Sequence, residues 1–228
     1  MDESWPTDGI PSSFYARHKA EVERLLDAFE MAHPEVRTVR LRPGLIFKRG
    51  ASSEIRRYFA GPLLPTPLLR PELIPLVPDV ARLHFQAVHS ADVAEAYRLA
   101  VRRDVRGAFN IAANPVLDPQ ELGRLLGARP VRVPAEVLRR AADISWRLRL
   151  QPTPSGWLDM ALAVPVMDTA RARGELGWQP LRSAGEALLE LIGGMRDSAG
   201  EETPPLEPDA SGPLRVRELL TGIGGKAA

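Results

Sequence analysis

Residues 12–26, SSFYARHKAEVERLL, decide how the chain is read. Tyr15 and Lys19 stand four apart, behind two serines that suit a helix N-cap and ahead of Val22, Leu25 and Leu26 at helical spacing. On a helix, residues four apart share a face, so both side chains point into one pocket. A phenol has a reference pKa near 10, too high for a base at neutral pH, and an adjacent ammonium favours the phenolate. At ~4 Å and an effective dielectric of ~20 that attraction is roughly 4 kcal/mol. The pair is therefore a candidate for general acid–base work. Taken alone, a tyrosine and a lysine four apart on a helix are usually surface or half-buried residues with no joint function.

Working outward, a helix is expected from about Ser13 to Ala32, its apolar stripe made by Val22, Leu25, Leu26 and Phe29, and ended at HPEV by the proline. A strand follows at 36–42, broken by Pro43 and Gly44, and a helix running into a strand indicates an α/β unit. Residues 48–78 are proline-rich and read as extended loops and short pieces. LHFQAVH is a strand candidate. Asp92 is expected to cap a helix, with Glu95 completing a capping box and Val93, Ala96, Tyr97, Ala100 and Val101 on its buried face. A short buried strand is expected at 108–112. Asp118, Pro119 and Glu121 announce the next helix, and further helices are expected at about 134–148, 155–163, 168–176 and 183–195. Residues 197–228 read as a flexible tail.

Composition narrows the function. The 228 residues are 44% hydrophobic and 26% charged, ordinary for a globular protein with a real core. The net charge of +1 gives no overall electrostatic case for nucleic acid or an anionic membrane. Lysine occurs only at 19, 48 and 226, and the many arginines are scattered among acids. There is no cysteine, which excludes disulfides, thiolate zinc sites and cysteine nucleophiles and fits a cytoplasmic location. No stretch approaches the ~18 apolar residues of a membrane helix, and the polar start does not read as a signal peptide.

Five segments in one order carry a resemblance. YARHK, a strand ending RPG, VHSADVA, GAFNIAA and DTARARGELGWQP together resemble the NAD-dependent epimerase/dehydratase family, the extended short-chain dehydrogenases, over about residues 2–195. The resemblance implies a partial doubly wound, Rossmann-like parallel sheet with a smaller, mainly helical substrate lobe. The dinucleotide-binding part would comprise 1–47 and 91–113, and the lobe 48–90 and 114–196. It implies that Tyr15 is the catalytic acid/base and that Lys19 assists it and binds the nicotinamide ribose. Pro43, Gly44, Leu45 and Ile46 would lie against NAD or NADP. His89, which matches the family's histidine, and Arg49 are weaker candidates for substrate contact. Trp178 and Pro180 read as core and turn. No metal site is expected.

The implied substrate is a nucleotide sugar or another hydroxyl or keto compound. A homodimer is left open. Two features depart from the family pattern: His18 stands where serine is usual, and Ser90 replaces an apolar residue. The larger departure is that no G-x-x-G-x-x-G turn precedes Tyr15, and GIGG at 222–225 has no strand before it. At ~30 residues per strand–helix unit, on the order of 100 residues of such a fold are missing. The expectation is a truncated enzyme that is inactive as written and binds cofactor weakly or not at all. The alternative is a non-catalytic remnant or metabolite-binding module of the same fold.

Overall fold

The computed structural model describes residues 1–59, 69–203 and 206–208. Helix α1, Phe14–Ala32, opens at Ser13, whose hydroxyl accepts from the Ala16 N–H. It leads into β1, Val39–Pro43, which pairs in parallel with β5, Gly107–Ile111, so that Leu41 faces Phe109 in register. After Gly44 the chain changes partner. β2, Leu45–Phe47, runs parallel to β4, Ala87–His89. The switch is stitched by the Gly44 N–H donating to Ile111 O and the Leu45 N–H donating to Gln86 O, both at 2.9 Å. Glycine is required at the switch, because a Cβ there would lie 2.6 Å from the Gln86 carbonyl oxygen.

The other helices are α2, Ser52–Phe59; α3, Ser90–Arg102; α4, Pro119–Leu126; α5, Ala135–Arg147; α6, Gly156–Ala163; and α7, Ala184–Arg196. A third parallel pair joins β3, Leu76–Asp79, to β6, Arg129–Arg132. The architecture is thus α/β, with short parallel pairs and many helices, as expected of a partial doubly wound fold.

One core lies between α3 and the β1–β5 pair, where Val88, Val93, Ala96, Phe109, Ile111, Leu176 and Trp178 are buried together. A second joins Phe47, Ala87 and Leu117 to α7 through Ala184, Ala187, Leu188 and Leu191. α7 opens on a complete capping box, Ser183 with Glu186.

The structure corrects several expectations. The strand expected at 36–42 runs from 39 to 43, and Leu45 and Ile46, expected in a loop, form β2. β3 begins in the proline-rich stretch read as extended loops and short pieces, and β6 is a strand that reading did not include; a two-stranded ribbon has only edge strands, where Pro78 and Pro130 are tolerated. The turn expected as a helix at 168–176 contains a π-helical segment at Ala172–Leu176. Tyr97 and Val101 are exposed, because the buried face of α3 is the narrower set Val93, Ala96 and Ala100.

Asp92 does not cap α3. His89 does so, its Nδ1 accepting from the Ala91 N–H, while the Asp92 carboxylate accepts from the Leu181 and Arg182 N–H groups and Glu95 pairs with Arg98. At α4, Asp118 caps as expected, but Glu121 pairs with Arg124 rather than completing a box. Of the expected tail, 197–203 and 206–208 are described. The Ala199 carbonyl there accepts from the hydroxyls of Ser52 and Ser53. Residues 209–228 lie outside the described residues.

The largest correction concerns α1. Val22, Leu25 and Phe29, the expected buried stripe, are exposed. The face turned to β1 is instead acidic. The buried Arg40 guanidinium is held by Glu23, Asp27 and Glu30, one on each successive turn, and Arg42 forks onto Glu23. Partly buried, charge-assisted bonds of this kind are strong and directional, so they fix the helix on the strand. Arg42 beside Glu23, aided by Arg40, holds the Glu23 carboxyl below its ordinary value of 4.5 against the opposing effect of burial. A lowered folded-state value means stability that is present above pH 4.5 and lost as pH falls through the lowered value. Acid titration followed by circular dichroism should therefore show wild type losing stability below pH 4.5. Glu23→Gln should start less stable at neutral pH and lose less over that range; an unchanged acid limb would contradict this clamp.

Candidate functional site

Tyr15 is the second residue of α1, 39% exposed, and Lys19 Nζ lies 5.7 Å from its ring centroid. The expected pair is therefore adjacent on one helix face and open at the phenol. Ser13 and Ala20 are buried at this end of the helix, so α1 is seated firmly where the pair stands.

The sequence reading missed Trp157. It is the second residue of α6, and its ring stacks on Tyr15 with centroids 4.8 Å apart and planes at 28°. Phe14 and Phe59 meet the same indole edge-on, at 6.3 and 5.0 Å. His18, in place of the usual serine, lies against Phe14 at 6.0 Å. α6 is held close to α1 because Gly156 leaves no room for a side chain against the Ser12 carbonyl. A lone tryptophan in a helical window gives no sign of which ring it will meet, so no sequence signal pointed to it.

A second cluster forms at the end of β4. His89 faces Phe47 across the β2–β4 pair and is nearly buried. Its Nε2 lies 3.2 Å from Glu190, which also accepts from the Arg49 N–H. Burial raises the Glu190 carboxyl, but the Arg49 N–H and the His89 ring outweigh it and leave the group below its ordinary value. The Arg49 guanidinium itself pairs with Asp197. Asp197 is lowered strongly, by Arg196 first and Arg49 next. His89 and Arg49 are thus brought together through Glu190, and both are engaged with the chain.

Pro43 closes β1, and Gly44 makes the switch to β2, where Leu45 and Ile46 are exposed apolar residues. Among the described residues no group of three or more His, Asp or Glu is placed to hold a metal ion.

The comparisons with known proteins bear on the fold. No family model matches the chain. Two uncharacterized proteins of Mycobacterium tuberculosis are each 29% identical over 80% of the chain. The chain spans 46% of the length of the first and 18% of the second. Among solved structures, a Thermus thermophilus UDP-glucose 4-epimerase in complex with NAD matches 86% of this chain and 57% of its own, with a TM-score of 0.53 at 19% identity. The dTDP-glucose 4,6-dehydratase DesIV of Streptomyces venezuelae matches 86% of this chain and 54% of its own, with a TM-score of 0.51 at 18% identity. The fold resembles that of these NAD-dependent epimerase and dehydratase structures over the part of it that the described residues span.

Proposed function

We propose that these residues carry the acid/base half of an NAD(P)-dependent epimerase, dehydratase or reductase acting on a hydroxyl or keto substrate. The observation that supports it is the Tyr15–Lys19 pair, held at the head of a helix with its phenol open. Bound NAD or NADP would supply the hydride acceptor or donor. Tyr15 would take the proton from a substrate hydroxyl, or return it to a carbonyl oxygen, at its phenolic oxygen. Lys19 would favour the phenolate and donate to the nicotinamide ribose. Leu45 and Ile46 would cover the ring and exclude water. His89 and Arg49 would border the substrate from the β4 side while staying tied to Glu190. A nucleotide sugar is one candidate substrate, as the neighbours of this fold act on such compounds by name.

The glycine-rich turn that holds the pyrophosphate of a dinucleotide is not among these residues. Calorimetric titration of the 228-residue chain with NAD and with NADP should therefore give no saturation below the millimolar range. Micromolar binding by this chain would overturn the assignment of the pyrophosphate site to residues outside it. It would also show that Lys19 and the strand ends carry most of the affinity.

A further inference from the structure

We infer that the segment after α7, residues 197–203 and 206–208, is an inhibitory strap: it occupies the basic turn between β2 and α2, and an anionic ligand has to displace it to reach Arg49. The inference rests on the reading of Arg49 as a border of the substrate and adds a means of regulating that border. The two segments are matched in charge. Residues 48–57 hold Lys48, Arg49, Arg56 and Arg57 against Glu54 alone, and residues 197–208 hold Asp197, Glu201, Glu202 and Glu207 with no lysine or arginine.

The contact is built along its length. The Asp197 carboxylate, shared with Arg196, takes the Arg49 guanidinium at 2.8 Å. The Ala199 carbonyl accepts from the Ser52 and Ser53 hydroxyls at 2.9 and 2.8 Å, and both serines are buried. Lys48 pairs with Glu201, whose carboxylate lies where a Cβ on Gly50 would be. Arg57 donates to the Glu207 carbonyl. The segment also folds on itself, the Glu201 N–H donating to Leu206 O at 3.1 Å and the Leu206 N–H to Thr203 O at 2.8 Å. A loosely attached tail would show neither this turn nor two buried hydroxyls directed at one of its carbonyls.

The strap lies at the edge of the candidate site. β2, with the exposed Leu45 and Ile46, ends two residues before Arg49, and the Arg49 N–H donates to Glu190, which meets His89. The groups that hold the strap are two cations and two hydroxyls, Lys48, Arg49, Ser52 and Ser53, and the same groups suit a phosphate or carboxylate from a ligand. Both ion pairs are partly exposed, and pairs of that kind contribute little each. The strap is therefore held shallowly, and an anion that binds only the bare turn shifts the balance towards release.

The test follows amide hydrogen exchange of the 228-residue chain at Ala199 and Glu201, whose N–H groups donate to Gly194 O and Leu206 O. Both should be protected in wild type. Asp197→Asn with Glu201→Gln should speed their exchange about fivefold or more, as expected for loss of two exposed ion pairs, while the α7 amides before Gly193 stay as slow as before. Inorganic pyrophosphate added to wild type should speed the same two amides, and sodium chloride at equal ionic strength should do so much less. Arg49→Gln should abolish the difference between the two salts. Fast exchange in wild type, no response to pyrophosphate, or an equal response to sodium chloride would overturn the inference. Failure of the reading of Arg49 is a different result: pyrophosphate releases the strap, but Arg49→Gln in the complete enzyme leaves the KM of a confirmed substrate unchanged.

Discussion

Tyr15→Phe, once these residues are joined to a glycine-rich dinucleotide-binding half, is expected to lower turnover by about 100- to 10,000-fold, the usual contribution of a general acid–base group. Cofactor affinity should stay nearly unchanged. The phenyl ring can keep the 4.8 Å stack on Trp157 and the contact with Lys19, so only the proton-carrying oxygen is lost. Lys19→Met should behave differently. It removes both the charge that favours the phenolate and a donor to the ribose, and should weaken turnover and cofactor binding together. Steady-state kinetics on a confirmed substrate, with cofactor binding measured separately, check both. Near-normal turnover by Tyr15→Phe would reduce the pair to two neighbours on a helix.

The second large effect lies in the core. Trp178 is fully buried between α3 and the β1–β5 pair, and its indole N–H donates to the Asp92 carbonyl at 2.7 Å. The Asp92 side chain in turn receives the Leu181 and Arg182 N–H groups, so the two residues lock the segment after the π-helical turn onto α3. Trp178→Ala should cost about 3–5 kcal/mol, the range for deleting a large buried aromatic side chain. In a protein of this size that is on the order of a 10 °C fall in melting temperature. Trp178→Phe keeps much of the volume and loses the hydrogen bond, and should cost less. Calorimetric or fluorescence melts test the pair; a wild-type melt for Trp178→Ala would mean the core closes around the space.

Local signals in the sequence carried much of this protein. Ser13 as a cap, the helix behind it, the two parallel strands about β1 and β5, the Ser183–Glu186 capping box and the burial of Trp178 all follow from residue chemistry within a few positions. So does the adjacency of Tyr15 and Lys19, because helical pitch alone puts them on one face. The order of five short segments added the fold, since each is weak and only their sequence together is informative.

What the chain could not announce depends on contacts between distant residues. The stripe Val22, Leu25, Phe29 has the period of a buried face, yet it is exposed, because Arg40 on β1 draws Glu23, Asp27 and Glu30 to the strand instead. Periodicity locates an apolar face but not the charge waiting opposite. His89 and Asp92 exchanged their expected parts for the same reason. The Asp92 carboxylate found two N–H groups some 90 positions away, and the imidazole was left to cap α3. Trp157 reached Tyr15 across more than 140 positions, through the close seating of Gly156 on Ser12. The sequence by itself determined that Tyr15 and Lys19 share one helix face. Only the tertiary structure decided what surrounds them, because hydrogen bonds, ion pairs and ring contacts are settled by which elements pack together, and helical or strand period holds no information about the opposite surface.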